Sequence, residues 1–262
     1  MGHPDPIAFE IAGFEIRWYG ILIAAAMLLA VLISSRRAPE HGLKDDDVLD
    51  VALWMLPIGV IGARLYYVLF NSQYYHSLGD ILNIRSGGLA IHGGLIFGGL
   101  TVFFVCRHKK IHPLNMLDLL IPSVALAQAI GRWGNFFNGE AHGGPTDLPW
   151  GILVDGVKVH PTFLYESLWC CMLFFVLTWF DRNRRKAYGQ TFAMYCILYS
   201  IERFFVESLR TDSLMIGPFK QAQVISLCAI IAGIILYCYS YTHWPVFHKK
   251  KYILEDEKDK QL

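Results

Sequence analysis

The chain has 262 residues, of which 54% are hydrophobic and 17% are charged. This apolar share exceeds that of ordinary soluble proteins and favours an integral membrane protein. With a net charge of +1 and no run of basic residues interleaved with aromatic ones, the sequence offers no surface suited to nucleic acid.

Seven segments are long and apolar enough for transmembrane helices, each of which needs about 20 residues. They are residues 18–35, 48–70, 88–106, 114–137, 162–180, 191–209 and 222–241. We therefore predict an all-α, polytopic membrane protein that forms one transmembrane domain over residues 1–262. Its parts are an N-terminal segment (1–17), a seven-helix body (18–241) and a tail (242–262). Because the first apolar run has no obvious small-residue cleavage site, we expect it to remain as an anchor.

Basic residues are distributed unevenly between the two sets of connections. The connections after the first, third, fifth and seventh spans are rich in lysine and arginine, whereas the opposite set holds few, among them Arg85, Lys158 and Arg210. Cytoplasmic loops carry the excess of positive charge in membrane proteins. The N-terminus is therefore predicted to lie outside the membrane and the C-terminus in the cytoplasm, which agrees with an odd number of spans.

The polar residues of the spans fall at one depth in this topology. They are Tyr19 at the start of the first span, His92 in the glycine-rich stretch 87–94, the end of the fourth span at 131–143, His160 before the fifth span, and Arg203 with Glu207 near the end of the sixth. All of them map to the outer side of the membrane. Because charged groups inside a bilayer are costly and mark functional sites by default, this sorting predicts a site in the outer half.

The most informative motif is Gly-Arg-Trp-Gly-Asn-Phe-Phe-Asn-Gly-Glu-Ala-His-Gly, residues 131–143. Its polar and glycine positions include Arg132, Asn135, Asn138, Glu140 and Gly143. A planar guanidinium binds phosphate through paired hydrogen bonds, so Arg132 is the first candidate phosphate ligand. In the plainer interpretation Arg132 pairs with Glu140 or reaches the interface, but this leaves the asparagines and the glycines unexplained.

Other charged residues of the spans have both a structural and a functional interpretation. Arg203 and Glu207 stand four residues apart on one helical face and are expected to form an ion pair. Glu202 lies on another face and is a weaker candidate. Arg64, inside the second span, is expected to pair with Asp118 of the fourth span. Such pairs hold helices together, and an arginine among them also suits an anionic substrate.

These motifs together resemble those of bacterial prolipoprotein diacylglyceryl transferases. The resemblance covers essentially the whole chain and rests on Arg-Trp-Tyr-Gly at 17–20, the motif at 131–143, His-Pro-Thr-Phe-Leu-Tyr-Glu at 160–166, and Glu-Arg-Phe-Phe-Val-Glu-Ser-Leu-Arg at 202–210. In the plainer interpretation, the histidine and Glu166 of the third motif only cap and tie helices.

The resemblance implies an enzyme that moves the diacylglyceryl group of phosphatidylglycerol to the lipobox cysteine of a prolipoprotein, the first step of bacterial lipoprotein maturation. The sulfur attacks the glyceryl carbon that bears the phosphate ester, a thioether forms, and glycerol phosphate leaves. Such an enzyme is a multi-pass protein of the bacterial cytoplasmic (inner) membrane, with its active site toward the outer or periplasmic half.

The resemblance also implies roles for the polar residues. His92 is expected to take the proton of the substrate thiol, since histidine is the usual general base near neutral pH, where a thiol with a pKa of about 8.5 is mostly protonated. Arg132 and Arg203 are expected to stabilise the phosphate and the leaving group. The expected orienting and phosphatidylglycerol-binding residues are Asn135, Asn138, Glu140, Gly143, His160 and Glu207. His160 and Tyr19 remain alternatives for the base and electrophilic roles, and in the plainer interpretation His92 only bonds to a neighbouring helix.

The expected partners are phosphatidylglycerol, the signal-peptide region of a prolipoprotein and the lipid bilayer, with no nucleic acid among them. The reaction needs no cofactor and no metal. The sequence has neither a His-Glu-x-x-His motif nor cysteines at zinc or disulfide spacing. We interpret the six cysteines as small apolar packing residues.

Two other classes of protein compete with this interpretation. A small lipid transporter or flippase also places charges and broken helices within the membrane, but such a site lies near the midplane, and no internal repeat is visible here. A structural membrane-assembly subunit leaves the glycine- and arginine-rich motif unexplained. Formation of a thioether from phosphatidylglycerol and a lipobox peptide would separate an enzyme from both.

Overall fold

A computed structural model of the chain describes residues 5–11, 13–75, 77–83, 87–211 and 213–246. The α-helices within these ranges are α1 (Trp18–Arg37), α2 (Asp45–Phe70), α3 (Leu78–Leu82), α4 (Ile91–His108), α5 (Pro113–Phe137), α6 (Thr162–Asn183), α7 (Gln190–Leu209) and α8 (Gln221–His243). All except the short α3 begin and end within three residues of a predicted span. Long apolar runs predict helices well because lipid leaves the backbone no partner outside the helix itself.

Six of the helices in the described part of the chain are long and apolar enough to cross a membrane: α1, α2, α4, α5, α6 and α8. The chain is therefore a mostly helical, multi-pass membrane protein. α7 is not among the six because it carries three charged residues, Glu202, Arg203 and Glu207. The seventh span and the orientation of the termini stay predictions. Arg85 and the tail from residue 247 onward, which entered the orientation argument, lie outside the described residues.

Three short antiparallel hairpins, which the all-α prediction did not include, lie in the described parts of the connections. β1 (Ile7–Ile11) pairs with β2 (Phe14–Arg17), β3 (Ile152–Val154) with β4 (Val157–Val159), and β5 (Met215–Ile216) with β6 (Phe219–Lys220). The second hairpin closes through Asp155 and Gly156, both at positive φ, and Asp-Gly is a dipeptide that two-residue hairpin turns favour. All three hairpins occupy segments that the topology prediction places outside the membrane.

The helices form two compact units. The first contains residues 1–30 and 120–262, and so includes most of α5 together with α6, α7 and α8. In its core Ala125, Leu173 and Leu177 are fully buried, and aromatic residues such as Trp169 and Tyr195 pack against them. This core fixes the relative positions of α5, α6 and α7, the helices on which three of the four motifs lie.

The second unit contains residues 31–119. Within it α2 and α4 pack closely through small residues. A Cβ atom at Gly93 would overlap the carbonyl group of Gly62, and one at Gly62 would overlap the ring of Phe97. Glycines of this kind let helix backbones approach each other in a membrane, where van der Waals packing drives helix association. His92 lies in the first turn of α4, at this crossing.

Candidate active site

Two arginines of the first unit share one buried carboxylate. Nε of Arg132 in α5 lies 2.6 Å from Oε2 of Glu166 in α6, and Nη1 of Arg203 in α7 lies 2.6 Å from Oε1 of the same residue. Glu166 is 1% exposed. Each of its oxygens binds a different arginine, so one carboxylate orients guanidinium groups from two other helices. Arg132 therefore pairs with Glu166 and not with Glu140, its partner in the plainer interpretation of the sequence.

Each arginine has a second partner and keeps unused donors. Nη2 of Arg203 lies 2.5 Å from Oε2 of Glu207, which confirms the ion pair predicted from their spacing. Nη2 of Arg132 donates a hydrogen bond of 3.2 Å to the Tyr199 hydroxyl. Within the described residues, Nη1 of Arg132 and Nε of Arg203 make no hydrogen bond, and the two side chains are 21% and 20% exposed. Both guanidinium groups therefore retain donors for an anionic ligand.

Glu202 is a further carboxylate near these arginines. It is 7% exposed, and neither of its side-chain oxygens has a hydrogen-bond partner among the residues that the structure describes. It interacts electrostatically with Glu166, Arg132 and Arg203. From the sequence it was a weaker candidate than Arg203 because it faces another side of α7, but that side is buried as well.

The asparagines and the glutamate of the 131–143 motif form one hydrogen-bonded cluster after α5. The chain turns at Gly139, which has a positive φ of 66°, and the amide of Glu140 returns to the carbonyl of Asn135 at 3.0 Å. The Nδ2 atoms of Asn135 and Asn138 then donate to Oε1 of Glu140 at 3.1 and 3.0 Å. These three residues, predicted to act together, are therefore in direct contact.

Gly143 and His160 meet through their main chains. The amide of Gly143 donates to the carbonyl of His160 at 2.8 Å, the amide of His160 donates to Gly144 at 3.0 Å, and the amide of Gly144 donates to Leu209 at 2.9 Å. A Cβ atom at Gly143 would lie 2.7 Å from Cβ of His160, so glycine permits this approach. Nδ1 of His160 lies 3.4 Å from the Tyr165 hydroxyl. These contacts join the loop after α5 to the start of α6 and the end of α7.

Tyr19, at the start of α1, lies against α5. Its ring covers Gly134, where a Cβ atom would lie 2.6 Å from Cδ2 of the tyrosine. Beside it, the rings of Trp18 and Phe137 stack with their centroids 5.3 Å apart. Tyr19 is therefore held within one helical turn of Arg132 along α5, with 40% of its surface exposed.

His92 belongs to the second unit. It is partly exposed, and its ring centroid lies 6.0 Å from that of Tyr66 in α2. The sequence suggested that Arg64 of α2 pairs with Asp118, but it does not. Its guanidinium donates instead to five main-chain carbonyl groups. The sequence carried no sign of this arrangement, because the acceptors are backbone atoms.

Two residues of the first unit contribute more than the sequence indicated. Glu166 ties helices together, as the plainer interpretation expected, but it also orients both arginines. Nζ of Lys220 lies 2.7 Å from the carbonyl oxygen of Glu207 and 2.8 Å from that of Arg210. Lys220 thus satisfies carbonyl groups at the C-terminal end of α7, where a positive charge is favourable. The sequence did not predict this contact, because it depends on the hairpin of β5 and β6, which brings Lys220 back to the end of α7.

The long apolar helices and the paired arginines define a multi-pass membrane protein with a site suited to an anionic group. Residues 6–239 match the family model described as prolipoprotein diacylglyceryl transferase. The chain belongs to the prolipoprotein diacylglyceryl transferase family.

Close relatives carry the name phosphatidylglycerol–prolipoprotein diacylglyceryl transferase. One from Clostridioides difficile is 56% identical over 236 residues, which cover 90% of this chain and 95% of the relative. One from Finegoldia magna is 49% identical over 255 residues, which cover 97% of this chain and 100% of the relative. One from Clostridium kluyveri is 47% identical over 246 residues, with coverages of 90% and 96%.

Proposed function

We propose that this chain transfers the diacylglyceryl group of phosphatidylglycerol to the lipobox cysteine of a prolipoprotein. The family and the names of the relatives support this activity. The observation that carries it is the arrangement of Arg132 and Arg203 on the shared carboxylate of Glu166. A phosphodiester in a membrane site needs cationic partners that are fixed and shielded from water, and this cluster supplies two.

The reaction exchanges one bond at a glyceryl carbon. The thiol proton passes to a base, the sulfur attacks the carbon that bears the phosphate ester, and the carbon–oxygen bond breaks. Glycerol phosphate leaves with the electron pair of that bond, so a phosphodiester with one negative charge becomes a monoester with about two. Because negative charge grows along the reaction, fixed cations stabilise the transition state more than the bound substrate.

The residues of the first unit divide this work. Arg132 and Arg203 bind the phosphate through their unused donors, while Glu166 and Glu207 hold the two guanidinium groups in place. The polar loop that orients the headgroup is assigned to Asn135, Asn138, Glu140, Gly143 and His160. The existing bonds among these residues support the assignment, since a preformed loop costs less to order around a ligand.

The base is assigned to His92. Its imidazole is partly exposed in the first turn of α4, so a substrate thiol has access to it. His160 is the less suitable alternative, because its main chain is tied to Gly143 and its Nδ1 faces the Tyr165 hydroxyl. Tyr19 remains the alternative electrophile or base, since its side chain is exposed beside α5.

The topology proposed for this activity has seven spans and one functional transmembrane domain. The N-terminus lies outside, the C-terminus lies in the cytoplasm, and the active site lies in the outer half of the bacterial cytoplasmic membrane. The seventh span is α7, whose three charged residues have charged neighbours within the protein. Arg203 pairs with Glu166 of α6 and with Glu207 of α7 itself, and Glu202 interacts electrostatically with Glu166 and Arg132. Single cysteines in a thiol-free background test the orientation: an impermeant reagent should label position 156 from outside and position 183 only from inside.

The activity itself is tested with the purified chain in detergent or vesicles. Phosphatidylglycerol labelled in its glyceryl moiety is incubated with a lipobox peptide, and the peptide is analysed by mass spectrometry. We expect a mass increase equal to one diacylglyceryl group and release of one glycerol phosphate. A peptide with serine in place of cysteine is the control and should remain unmodified. Movement of lipid across the vesicle membrane without any thioether would indicate a flippase. If neither lipid movement nor a thioether is detected, both activities are contradicted.

A further inference from the structure

Arg64 is buried in α2 and has an unusual set of partners. It is 4% exposed, and each of its five N–H groups points at a main-chain carbonyl oxygen. Nε donates to Ile81 at 2.8 Å, Nη1 to Gly87 at 2.8 Å and Gly88 at 3.1 Å, and Nη2 to Asp80 at 2.7 Å and Asn83 at 3.0 Å. Every donor of the guanidinium is therefore used. A buried charge is costly unless it is fully hydrogen-bonded, and here backbone dipoles meet that requirement.

Two of the five carbonyl groups belong to α3 (Asp80 and Ile81), one to Asn83 directly after it, and two to the glycines before α4. They lie in residues 80–83 and 87–88, so a single side chain joins the end of α3 to the glycines that precede α4. The guanidinium carbon also lies 4.9 Å from the ring centroid of Tyr75, within range of a cation–π contact. Arg64 thus holds residues 80–83 and residues 87–88 against the same point of α2.

Further contacts with α2 lie on either side of His92. The amide of Ala90, the residue before α4, donates to the carbonyl of Ala63 at 3.0 Å. A Cβ atom at Gly93 would overlap the Gly62 carbonyl, so the first turn of α4 lies directly on α2. His92 stands between these two contacts. Consecutive residues of α2, with Arg64 among them, therefore form the surface on which His92 is presented.

Two adjacent glycines permit the contact with Arg64 in different ways. Gly87 and Gly88 both have positive φ, 85° and 78°. A Cβ atom at Gly88 would lie 2.5 Å from Nη1 of Arg64 and 2.8 Å from Cε1 of Tyr67, whereas a Cβ atom at Gly87 would meet nothing within 4 Å. An alanine at either position carries a similar backbone strain, but only the alanine at Gly88 would push against the guanidinium.

We propose that Arg64 is a positioning residue for His92. It holds Gly87 and Gly88, just before α4, so that the imidazole keeps the orientation needed to accept the thiol proton, and this proposal rests on the function proposed above. Lysine cannot replace it, because an ammonium has three donors at one point whereas the guanidinium spans five carbonyl groups with a planar fork. Misplacement of a catalytic group by about 1 Å costs on the order of 100-fold in rate.

The first experiment compares Arg64→Lys, His92→Asn and the double variant in the thioether assay. We expect Arg64→Lys to lower kcat by about 10- to 100-fold, with little change in KM for phosphatidylglycerol because none of the hydrogen bonds of Arg64 goes to a residue assigned to phosphate binding. In the His92→Asn background the same replacement should have almost no further effect on kcat. Raising the pH toward about 9, where the thiol ionises by itself, should recover part of the rate of each single variant.

The second experiment separates this contact from general damage to the fold. Gly88→Ala should lower kcat as Arg64→Lys does, while Gly87→Ala should lower kcat much less. Hydrogen exchange should become faster at the amides of Gly93 and Gly94, which both donate to Ala90, in Gly88→Ala but not in Gly87→Ala.

The outcomes separate failure of this proposal from failure of the proposed function. A wild-type chain that forms no thioether would contradict the function itself. If wild type is active but Arg64→Lys lowers kcat by the same factor with and without His92, or if the two alanine variants behave alike, Arg64 does not act through His92. A fully active His92→Asn variant would remove both the assigned base and its positioning residue while leaving the transfer activity intact.

Discussion

Replacing Glu166 by glutamine tests how the two arginines are held, with almost no change in shape. The carboxylate accepts from Arg132 through one oxygen and from Arg203 through the other, at 2.6 Å in both cases. The amide of glutamine keeps one acceptor oxygen and places an NH2 donor where the other oxygen was, so one of the arginines faces a donor. The change also removes the negative charge that the two guanidinium groups share.

The expected cost follows from these two contacts. Removing one partner of a buried ion pair costs about 3 to 5 kcal/mol, and one hydrogen bond to a charged group contributes about 1.5 to 3 kcal/mol. Because both arginine side chains are about one-fifth exposed, water recovers part of the loss. We therefore expect the free energy of unfolding to fall by about 3 kcal/mol. Misorientation of the phosphate-binding groups should lower the transfer rate by about 100-fold.

Thermal unfolding in detergent and the thioether assay measure the two effects. The control is Glu15→Gln, because Glu15 pairs with Arg17 at 3.2 Å on an exposed hairpin. An exposed pair is worth little, so this variant should stay within about 0.5 kcal/mol of wild type and keep its activity. Glu166→Asp, which keeps the charge but shortens its reach, should fall in between. Wild-type stability and rate in Glu166→Gln would refute the role given to the shared carboxylate.

Two further changes have expected outcomes. Glu202→Gln should leave the melting temperature unchanged or raise it, since neither carboxylate oxygen has a hydrogen-bond partner among the described residues. It should also lower KM for phosphatidylglycerol, because the change removes a negative charge near the arginines. A large loss of stability or a higher KM would contradict this. Hydrogen bonds to Asp47 and Asp50 raise the pKa of Lys109 above its ordinary value. The stabilisation that this group contributes is therefore fully present at pH values below about 10.4, the pKa of an unfolded lysine, and it is lost as the pH rises through the higher pKa of the folded state. Lys109→Met should therefore lower the melting temperature at neutral pH, with a difference that shrinks above about pH 10.4, whereas a difference independent of pH would count against the ion-pair explanation.

The elements of the fold that depend on local sequence were predictable. A run of apolar residues is enough to specify a helix in lipid, and the bounds of α1, α5 and α6 agree closely with the segments predicted for them. The ion pair of Arg203 with Glu207 follows from the helical repeat alone. Short-range contacts of this kind need no knowledge of how helices are arranged.

Contacts between distant segments were not predictable in the same way. The sequence offered Glu140 as a partner for Arg132 because the two are close along the chain, but Glu166 of another helix takes that place. Asp118 appeared to be the natural partner of Arg64 because opposite charges attract, but backbone carbonyl groups satisfy this arginine. The sequence of side chains does not show which backbone carbonyl groups lack a backbone donor in the folded protein.

The paired arginines are expected to stabilise the phosphate as it departs. The most direct test is the single-turnover rate of thioether formation at saturating phosphatidylglycerol, measured for Arg132→Ala beside Arg184→Ala. Arg184 is an exposed arginine near Trp179, 5.8 Å from its ring centroid, and serves as the matched control. We expect the rate to fall at least 100-fold in Arg132→Ala, equivalent to about 2.7 kcal/mol of transition-state stabilisation, and to stay at the wild-type value in Arg184→Ala. A wild-type rate in a folded Arg132→Ala variant would contradict the claim.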